Sequence, residues 1–266
     1  MDGGGFPDTA LLLVGHGSSR LDTARQATLR LAEALRAMER FAQVEPCFLK
    51  EPPAPSLDLV TARTVVVIPN FAGEGGFTRT LIPDLLGLCG PVTRIGDRTI
   101  HYTAPLGSHP ALPGLLAERA AAFCTQRGLS PAAVCLTLIG HGSSRPGASA
   151  TTLAIAEAIR QSGHAGKQFG QVQAAFLEQP PFARDWADQT SLPDVVALPL
   201  LMSDGAHGTA DIPALFAPPH PDGRRAHLCD VSLDAAQWAE LALELAQAAL
   251  SVVTSPPDSP GRTDTR

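Results

Sequence analysis

Short apolar runs alternate with longer segments of helical periodicity along this chain, and the alternation occurs twice in the same order. In the first half, residues 22–38 and 112–125 carry leucine and alanine at helical spacing. The apolar, often β-branched runs are typical of buried parallel strands and lie at residues 10–14, 44–49, 64–69 and 99–103. A glycine-rich loop that enters a helix follows the third run, at residues 73–88. This alternation predicts an α/β fold in which helices cover both faces of a parallel sheet.

The second half repeats the order, which indicates an internal duplication. Its predicted strands lie at residues 134–139, 172–177, 195–200 and 227–231, and its predicted helices at residues 149–162 and 235–252. A turn-rich break at residues 128–131 divides the chain into an N-terminal half, 1–128, and a C-terminal half, 129–252. Residues 253–266 are rich in proline, serine and charge, so they are predicted to form a disordered tail.

Composition narrows the class of protein. The 266 residues are 44% hydrophobic and only 5% aromatic, with a net charge of −6, which argues against a nucleic-acid-binding protein. No apolar run reaches the ~18–20 residues that a membrane-spanning helix needs, and the first residues lack a basic leader, so a cytoplasmic protein with no membrane partner is expected. The five cysteines are scattered and form no CxxC pair, which predicts neither a disulfide framework nor a thiolate zinc site.

One histidine-bearing turn occurs in both halves. Residues 11–20 read LLLVGHGSSR and residues 136–145 read LTLIGHGSSR. Because each turn follows a predicted parallel strand, His16 and His141 are expected at the carboxyl edge of the sheet, where such folds bind ligands. The following hydroxyl and basic residues can hold an anion at a helix start, and they are Ser18, Ser19, Arg20, Ser143, Ser144 and Arg145. A purely structural turn is the alternative.

The two halves differ in the residues around this turn. The segments CFLKEPP and AFLEQPP align, which sets Lys50 opposite Glu178, and GGFTRTLIP aligns with GAHGTADIP, which sets Phe77 opposite His207. Only the second half therefore carries two histidines and a carboxylate at three strand ends. That ligand set suits a divalent first-row metal, although the spacing of His141, Glu178 and His207 forms no local metal-binding motif.

At these residues the chain resembles the class II sirohydrochlorin chelatases, in their long, two-repeat form. The resemblance rests on both GHGS turns, on the FLE element at residues 176–178 and on the histidine loop that ends in DIP at residues 211–213. It extends from about residue 10 to residue 250. It implies a chelatase fold, in which two α/β halves with parallel four-stranded sheets face each other across a cleft that holds a tetrapyrrole.

The resemblance also implies roles for residues. His141 and His207 would bind the incoming metal, and Glu178 would assist as a metal ligand or a proton acceptor. Because Phe77 and Lys50 depart from the pattern, the first half would serve as the opposing wall of the cleft. The residues expected to contact substrate are His16, Ser18, Ser19, Arg20, Ser143, Ser144, Arg145 and Phe77. Lys50, Arg79 and Arg184 lie on predicted cleft loops, where basic groups can hold carboxylates.

The function implied is ATP-independent insertion of a divalent metal into sirohydrochlorin, in cobalamin or siroheme biosynthesis. Co²⁺ is favoured as the metal substrate, with Fe²⁺ or Ni²⁺ as alternatives, and no permanently bound cofactor is expected. The sequence contains no GxxxxGK[ST] phosphate loop, in keeping with this expectation. A monomer is expected, since one chain supplies both halves.

Two alternative functions fit parts of the same sequence pattern. A non-catalytic carrier of a tetrapyrrole or metal would keep the same cleft. A hydrolase would use Ser143 or Ser144 with His141, but the sequence lacks the GxSxG elbow of that class.

Overall fold

The computed structural model describes residues 5–17, 23–142, 149–162, 169–200, 212–217, 220–229 and 233–252. The predicted tail at residues 253–266 lies outside them. Side chains of residues 23 and 24 are also outside the description, although their backbone begins a helix.

The first half forms a mixed sheet with a parallel core. Its strands run in the order β2-β1-β3-β5-β4, and β4 pairs antiparallel with β5 while the other neighbours are parallel. Their bounds are β1 Phe6–Gly15, β2 Phe41–Phe48, β3 Thr64–Pro69, β4 Val92–Ile95 and β5 Arg98–Tyr102. The expectation of a four-stranded, wholly parallel sheet is therefore wrong for this half. The sequence analysis missed β4 because it has only four residues and lies at the sheet edge, with a mostly exposed pattern.

The second half forms an entirely parallel sheet among the described residues, in the order β7-β6-β8-β9. Its strands are β6 Val134–Gly140, β7 Gln171–Phe176, β8 Asp194–Pro199 and β9 Arg225–Leu228. All were predicted, and the last begins two residues earlier than expected. The central strands β1 and β6 carry the runs LLLV and LTLI, which are fully buried, as expected for strands covered on both faces.

Helices follow the strands at the predicted places. They are α1 Thr23–Ala37, α2 Ile82–Leu86, α3 Leu112–Gln126, α4 Ala150–Gln161, α5 Ile212–Phe216 and α6 Ala235–Ser251. A π-helical turn, Phe77–Leu81, leads into α2. The start of α6 is fixed by a capping box, in which Asp234 accepts from the Gln237 backbone at 2.8 Å and Gln237 accepts from the Asp234 backbone at 3.2 Å.

The last helix of each half packs on the other half. Helix α6 contacts α1, β3 and β5 of the first half, whereas α3 contacts α4 and β8 of the second. One apolar core consequently contains buried side chains from both sheets and from α6, among them Leu13, Val66, Leu136 and Ala242. The division of the chain at residues 128 and 129 stays a prediction. Because α3 and α6 each pack on the opposite half, the two halves depend on each other structurally.

The remaining composition-based expectations concern cysteines and membranes. All five cysteines are free thiols, and burial raises the pKa of the Cys47 thiol to about 12, which keeps it protonated. Cys124, Cys135 and Cys229 are also buried, while Cys89 is exposed. In the described part of the chain, no helix is long and apolar enough to cross a bilayer.

Candidate active site at the strand ends

Each histidine turn begins with a glycine that the packing requires. Gly15 and Gly140 end the central strands, and a Cβ added at either would lie 2.6 or 2.5 Å from the hydroxyl of Thr28 or Thr152 on the following helix. That separation is far below normal contact, so only glycine lets the helix approach the strand end this closely. The next residue in each turn, a histidine, thus lies at the carboxyl edge of its sheet.

The second glycine of each turn has a left-handed backbone. Gly17 has φ +67° and Gly142 has φ +71°. A Cβ at Gly142 would also meet Gln179 Cγ at 2.7 Å and Phe176 Cβ at 2.9 Å. Both conformation and space therefore select glycine, and the turn fixes the histidine against the end of the neighbouring strand.

His141 is held through one ring nitrogen. Its Nδ1 lies 2.9 Å from the carbonyl oxygen of Gly142. Because a carbonyl oxygen only accepts, this contact places a proton on Nδ1 and fixes the orientation of the ring. The side chain is about half exposed, at 48%. A backbone carbonyl thus orients this imidazole in the way that carbonyls orient many metal-binding histidines.

Glu178 lies beside this ring. Its backbone N–H donates to the His141 carbonyl at 3.0 Å, which extends the β6–β7 pairing past the end of the strands. Its Oε2 is 3.7 Å from His141 Nδ1, and the side chain is 52% exposed. The structure thus brings together two of the three residues predicted for the metal cluster, with the carboxylate on the Nδ1 side of the ring.

The first half has the same backbone and different side chains. The His16 Nδ1 donates to the Gly17 carbonyl at 2.6 Å, and the Lys50 backbone N–H donates to the His16 carbonyl at 3.0 Å. The Phe77 ring meets the His16 ring edge-on, with centroids 5.3 Å apart at 70°. An aromatic cluster therefore stands where the aligned second-half sequence has His207.

Several predicted site residues lie outside the described residues. They are Ser18, Ser19, Arg20, Ser143, Ser144, Arg145 and His207. In the described part of the chain, no three His, Cys, Asp or Glu side chains are grouped closely enough to hold a metal ion. His141 and Glu178 are therefore a pair of neighbouring side chains in the described part of the chain.

Three basic residues were expected on cleft loops, and two of them are paired locally. Arg79 donates to Glu74 Oε2 through Nε at 2.9 Å and through Nη2 at 2.5 Å. The guanidinium of Arg184 stacks over the Phe182 ring at 3.9 Å. Lys50 differs, since its Nζ lies 6.0 Å from the Phe77 ring centroid and no carboxylate of the described residues forms a salt bridge with it.

Sequence reasoning missed two residues around His16. Phe71 follows β3 and lies 6.4 Å from the His16 ring and 6.0 Å from the Phe77 ring. Glu51 lies under Gly17, with its Oε2 3.5 Å from Arg25 Nη1 and its Oε1 buried. Both residues lie shortly after the end of a strand, and this position could have identified them in the sequence. Neither residue has a counterpart of the same type in the second half.

Comparison with known proteins decides the family. The model of the CbiX family matches this chain twice, over residues 10–122 and 135–249. The chain belongs to the CbiX family. The two matches coincide with the two strand–turn repeats, so the family unit is present twice in one polypeptide.

Two curated relatives show the same relation. A protein of Halobacterium salinarum named "Probable sirohydrochlorin cobaltochelatase" is 33% identical over 224 residues, which cover 77% of this chain and 75% of the relative. A Methanopyrus kandleri protein named "Sirohydrochlorin cobaltochelatase" is 31% identical over 134 residues, or 41% of this chain and 93% of the relative. Less than half of this CbiX-family chain thus matches nearly all of the shorter relative.

A solved structure shows the same fold. A multi-domain protein of Deinococcus radiodurans, described as structurally similar to chelatases, aligns with a TM-score of 0.69 and 28% identity. The alignment covers 90% of this chain and 54% of that protein, so this chain spans about half the length of the Deinococcus protein.

Proposed function

We propose that this CbiX-family protein inserts a divalent metal into sirohydrochlorin without ATP. The observation that carries the proposal is the oriented His141 beside Glu178, in a chain that is 33% identical to a relative named for cobalt insertion into sirohydrochlorin. Insertion requires that the ion lose its water ligands stepwise and that the macrocycle lose two pyrrole protons. A neutral imidazole and a carboxylate supply one group for each task.

His141 acts as the metal ligand in this proposal. Its Nδ1–H donates to the Gly142 carbonyl, which orients the ring, and Nε2 is the nitrogen proposed to bind the ion. Imidazole suits Fe, Co, Ni and Zn, and exchanging one water for one imidazole lowers the cost of dehydrating the ion before it reaches the ring. His207, by its aligned position, is the second ligand.

Glu178 acts as the proton acceptor. Because its Oε2 lies 3.7 Å from Nδ1 of His141, the ring nitrogen that is not proposed to bind the ion, the geometry supports the base role more strongly than direct metal ligation. The carboxylate is half exposed, so a proton taken from the macrocycle can pass to solvent. General-base assistance of this kind contributes roughly 10²–10⁴-fold to a rate.

Sirohydrochlorin is also held by its carboxylates in this proposal. The hydroxyl and basic residues after each turn, together with His16 and Phe77, form the contacts with this substrate. Co²⁺ is the favoured metal, because both curated relatives carry cobalt in their names. Fe²⁺ is the alternative ion for the same ligand set.

The test is anaerobic insertion of Co²⁺ and of Fe²⁺ into sirohydrochlorin, followed by absorbance. The wild type is expected to exceed the uncatalysed rate. His141→Ala should lose at least ~10²-fold in kcat/KM, and Glu178→Gln should lose ~10²-fold in kcat. A wild type that binds sirohydrochlorin and cobalt but forms no product faster than buffer would make the protein a carrier and refute the enzyme.

A further inference from the structure

Lys50 and Glu178 occupy the same backbone position in the two halves. Leu49 and Lys50 donate to the carbonyls of Gly15 and His16 at 3.1 and 3.0 Å. Leu177 and Glu178 donate to the carbonyls of Gly140 and His141 at the same two distances. The duplicated site has therefore kept its frame and reversed the charge of one side chain.

The reversal changes which ions the first-half site can accept. An ammonium group repels a divalent cation, and Phe77 offers no lone pair where the aligned sequence has His207. Of the three first-half residues, only His16 offers a nitrogen to a metal. That nitrogen is Nε2, since Nδ1 donates to the Gly17 carbonyl. A position of this kind disfavours Co²⁺ and favours an anion.

The surroundings of Lys50 define the anion further. Its ammonium lies 6.0 Å from the centroid of the Phe77 ring, and Phe71 packs against that ring at 6.0 Å. An ammonium has three donors and prefers carboxylate, and no carboxylate in the described part of the chain forms a salt bridge with it. A cation above half-buried aromatic rings suits a flat aromatic ligand with carboxylates on its rim.

We propose that Lys50, beside the Phe77 ring, is a positioning residue that binds a rim carboxylate of the tetrapyrrole and keeps metal out of the first half. The inference rests on the proposed function, because it takes sirohydrochlorin as the ligand. The duplicated turn then has two uses: the copy at His141 receives the metal, and the copy at His16 holds the macrocycle that the metal enters.

The test is a titration of metal-free sirohydrochlorin into the full-length protein, followed by tetrapyrrole fluorescence at several salt concentrations. Lys50→Met should weaken binding about 10-fold and flatten its salt dependence, since one charge-assisted hydrogen bond is lost. Lys50→Arg keeps the charge and should bind within about 3-fold of the wild type. Arg127→Met is the matched control, because its guanidinium also lies over a phenylalanine ring, that of Phe123 at 4.8 Å, but at the end of α3 just before β6 begins, and it should leave the affinity unchanged.

Steady-state insertion gives a second readout on the same variants. Lys50→Met should raise the KM for sirohydrochlorin about 10-fold and leave kcat within about 2-fold of the wild type. Unchanged affinity and an unchanged salt slope in Lys50→Met would overturn the inference, and so would a fall in kcat at constant KM. A wild type that fails to bind sirohydrochlorin would refute the proposed function itself, which separates the two failures. The exposed Lys50 side chain makes a folding defect an unexpected outcome, and Lys50→Gln repeats the test.

Discussion

A comparison of the two turns, residue by residue, distinguishes the residues that maintain the backbone from those that determine the chemistry of each half. The glycines and the Nδ1–carbonyl contact are the same in both halves, so they belong to the turn. Lys50 and Glu178 differ at equivalent positions, so they belong to the chemistry of each half. Duplicated histidines by themselves therefore do not indicate duplicated activity.

The turn glycines give a stability prediction. Gly142→Ala should lower the free energy of unfolding by about 2–4 kcal/mol, because it adds a steric clash to a left-handed backbone. Gly128 is the matched control, with φ +69° and open space around its Cβ position, so Gly128→Ala should cost only ~1–2 kcal/mol. Urea unfolding of both variants measures the difference. Equal losses would show that the contacts with Gln179 and Phe176 yield without cost.

The reversed charge gives a gain-of-function prediction. The double variant Lys50→Glu with Phe77→His restores the second-half residue types around His16 and should bind one additional equivalent of Co²⁺. Phe77→His alone should bind it far more weakly, because the ammonium of Lys50 remains. Equilibrium dialysis of Co²⁺ against both variants measures this. A double variant with wild-type stoichiometry would mean that more than these two residues disabled the first-half site.

Residue identities were predictable from sequence, and their orientations were not. Aligning the halves set Lys50 opposite Glu178 and Phe77 opposite His207, because the short motifs around these residues match without gaps even though the segments between the motifs differ in length. The position of Glu178 on the Nδ1 side of His141, and the packing of Phe71 on His16, depend on rotamers and on loops that hydrophobic periodicity does not report.

At the scale of elements, the strongly patterned segments were predicted and the weakly patterned one was not. The buried runs of β1, β3, β6 and β8 are nearly continuous and mostly apolar, and the structure confirms them. Strand β4 is a short edge strand in a hairpin with β5, and edge strands carry little apolar signal. The site was unaffected by this omission, since β4 lies at the far edge of the first sheet.

The contact between helix α6 and the first sheet gives a pH prediction. His101 on β5 is 7% exposed, with Nδ1 buried and a hydrogen bond to the Ala249 backbone on α6. His109 is 5% exposed, and its Nε2 lies 3.4 Å from Glu244 Oε2 on the same helix. Burial lowers the pKa of both imidazoles, although Glu244 opposes this for His109.

The sign of the effect follows from these lowered pKa values. The unfolded chain binds protons below pH ~6.5 while the folded histidines stay neutral, so the free energy of unfolding should fall as the pH drops below ~6.5. Each histidine removes up to ~1.4 kcal/mol per pH unit until its folded pKa is reached. Denaturant unfolding between pH 7.5 and 4.5 measures the loss. His101→Gln should reduce its slope.

At the scale of the whole molecule, helices α3 and α6 join the two halves into one core, because each packs on the opposite half. The first sheet is covered by α6, which follows the entire second half in sequence. The sequence analysis predicted both helices, but sequence periodicity contains no information on which sheet each helix covers. Long-range packing of this kind becomes visible only in the folded chain.

The packing of α6 on the first half gives a prediction for separately expressed halves. Residues 1–128 expressed alone lack α6, so the apolar face of β3 and β5 is uncovered and the fragment should show no cooperative thermal unfolding. Co-expression with residues 129–266 should restore a soluble complex with a single cooperative transition. A fragment 1–128 that unfolds cooperatively by itself would show that α6 is dispensable for the first half.

The central claim is that only the second-half copy of the turn receives the metal, and Co²⁺ binding tests it most directly. Equilibrium dialysis with the cobalt absorption spectrum should show one bound equivalent for the wild type and for His16→Ala, and a loss of at least ~10-fold in affinity for His141→Ala. Cobalt that stays bound in His141→Ala and is lost in His16→Ala would contradict the account and move the metal to the first half.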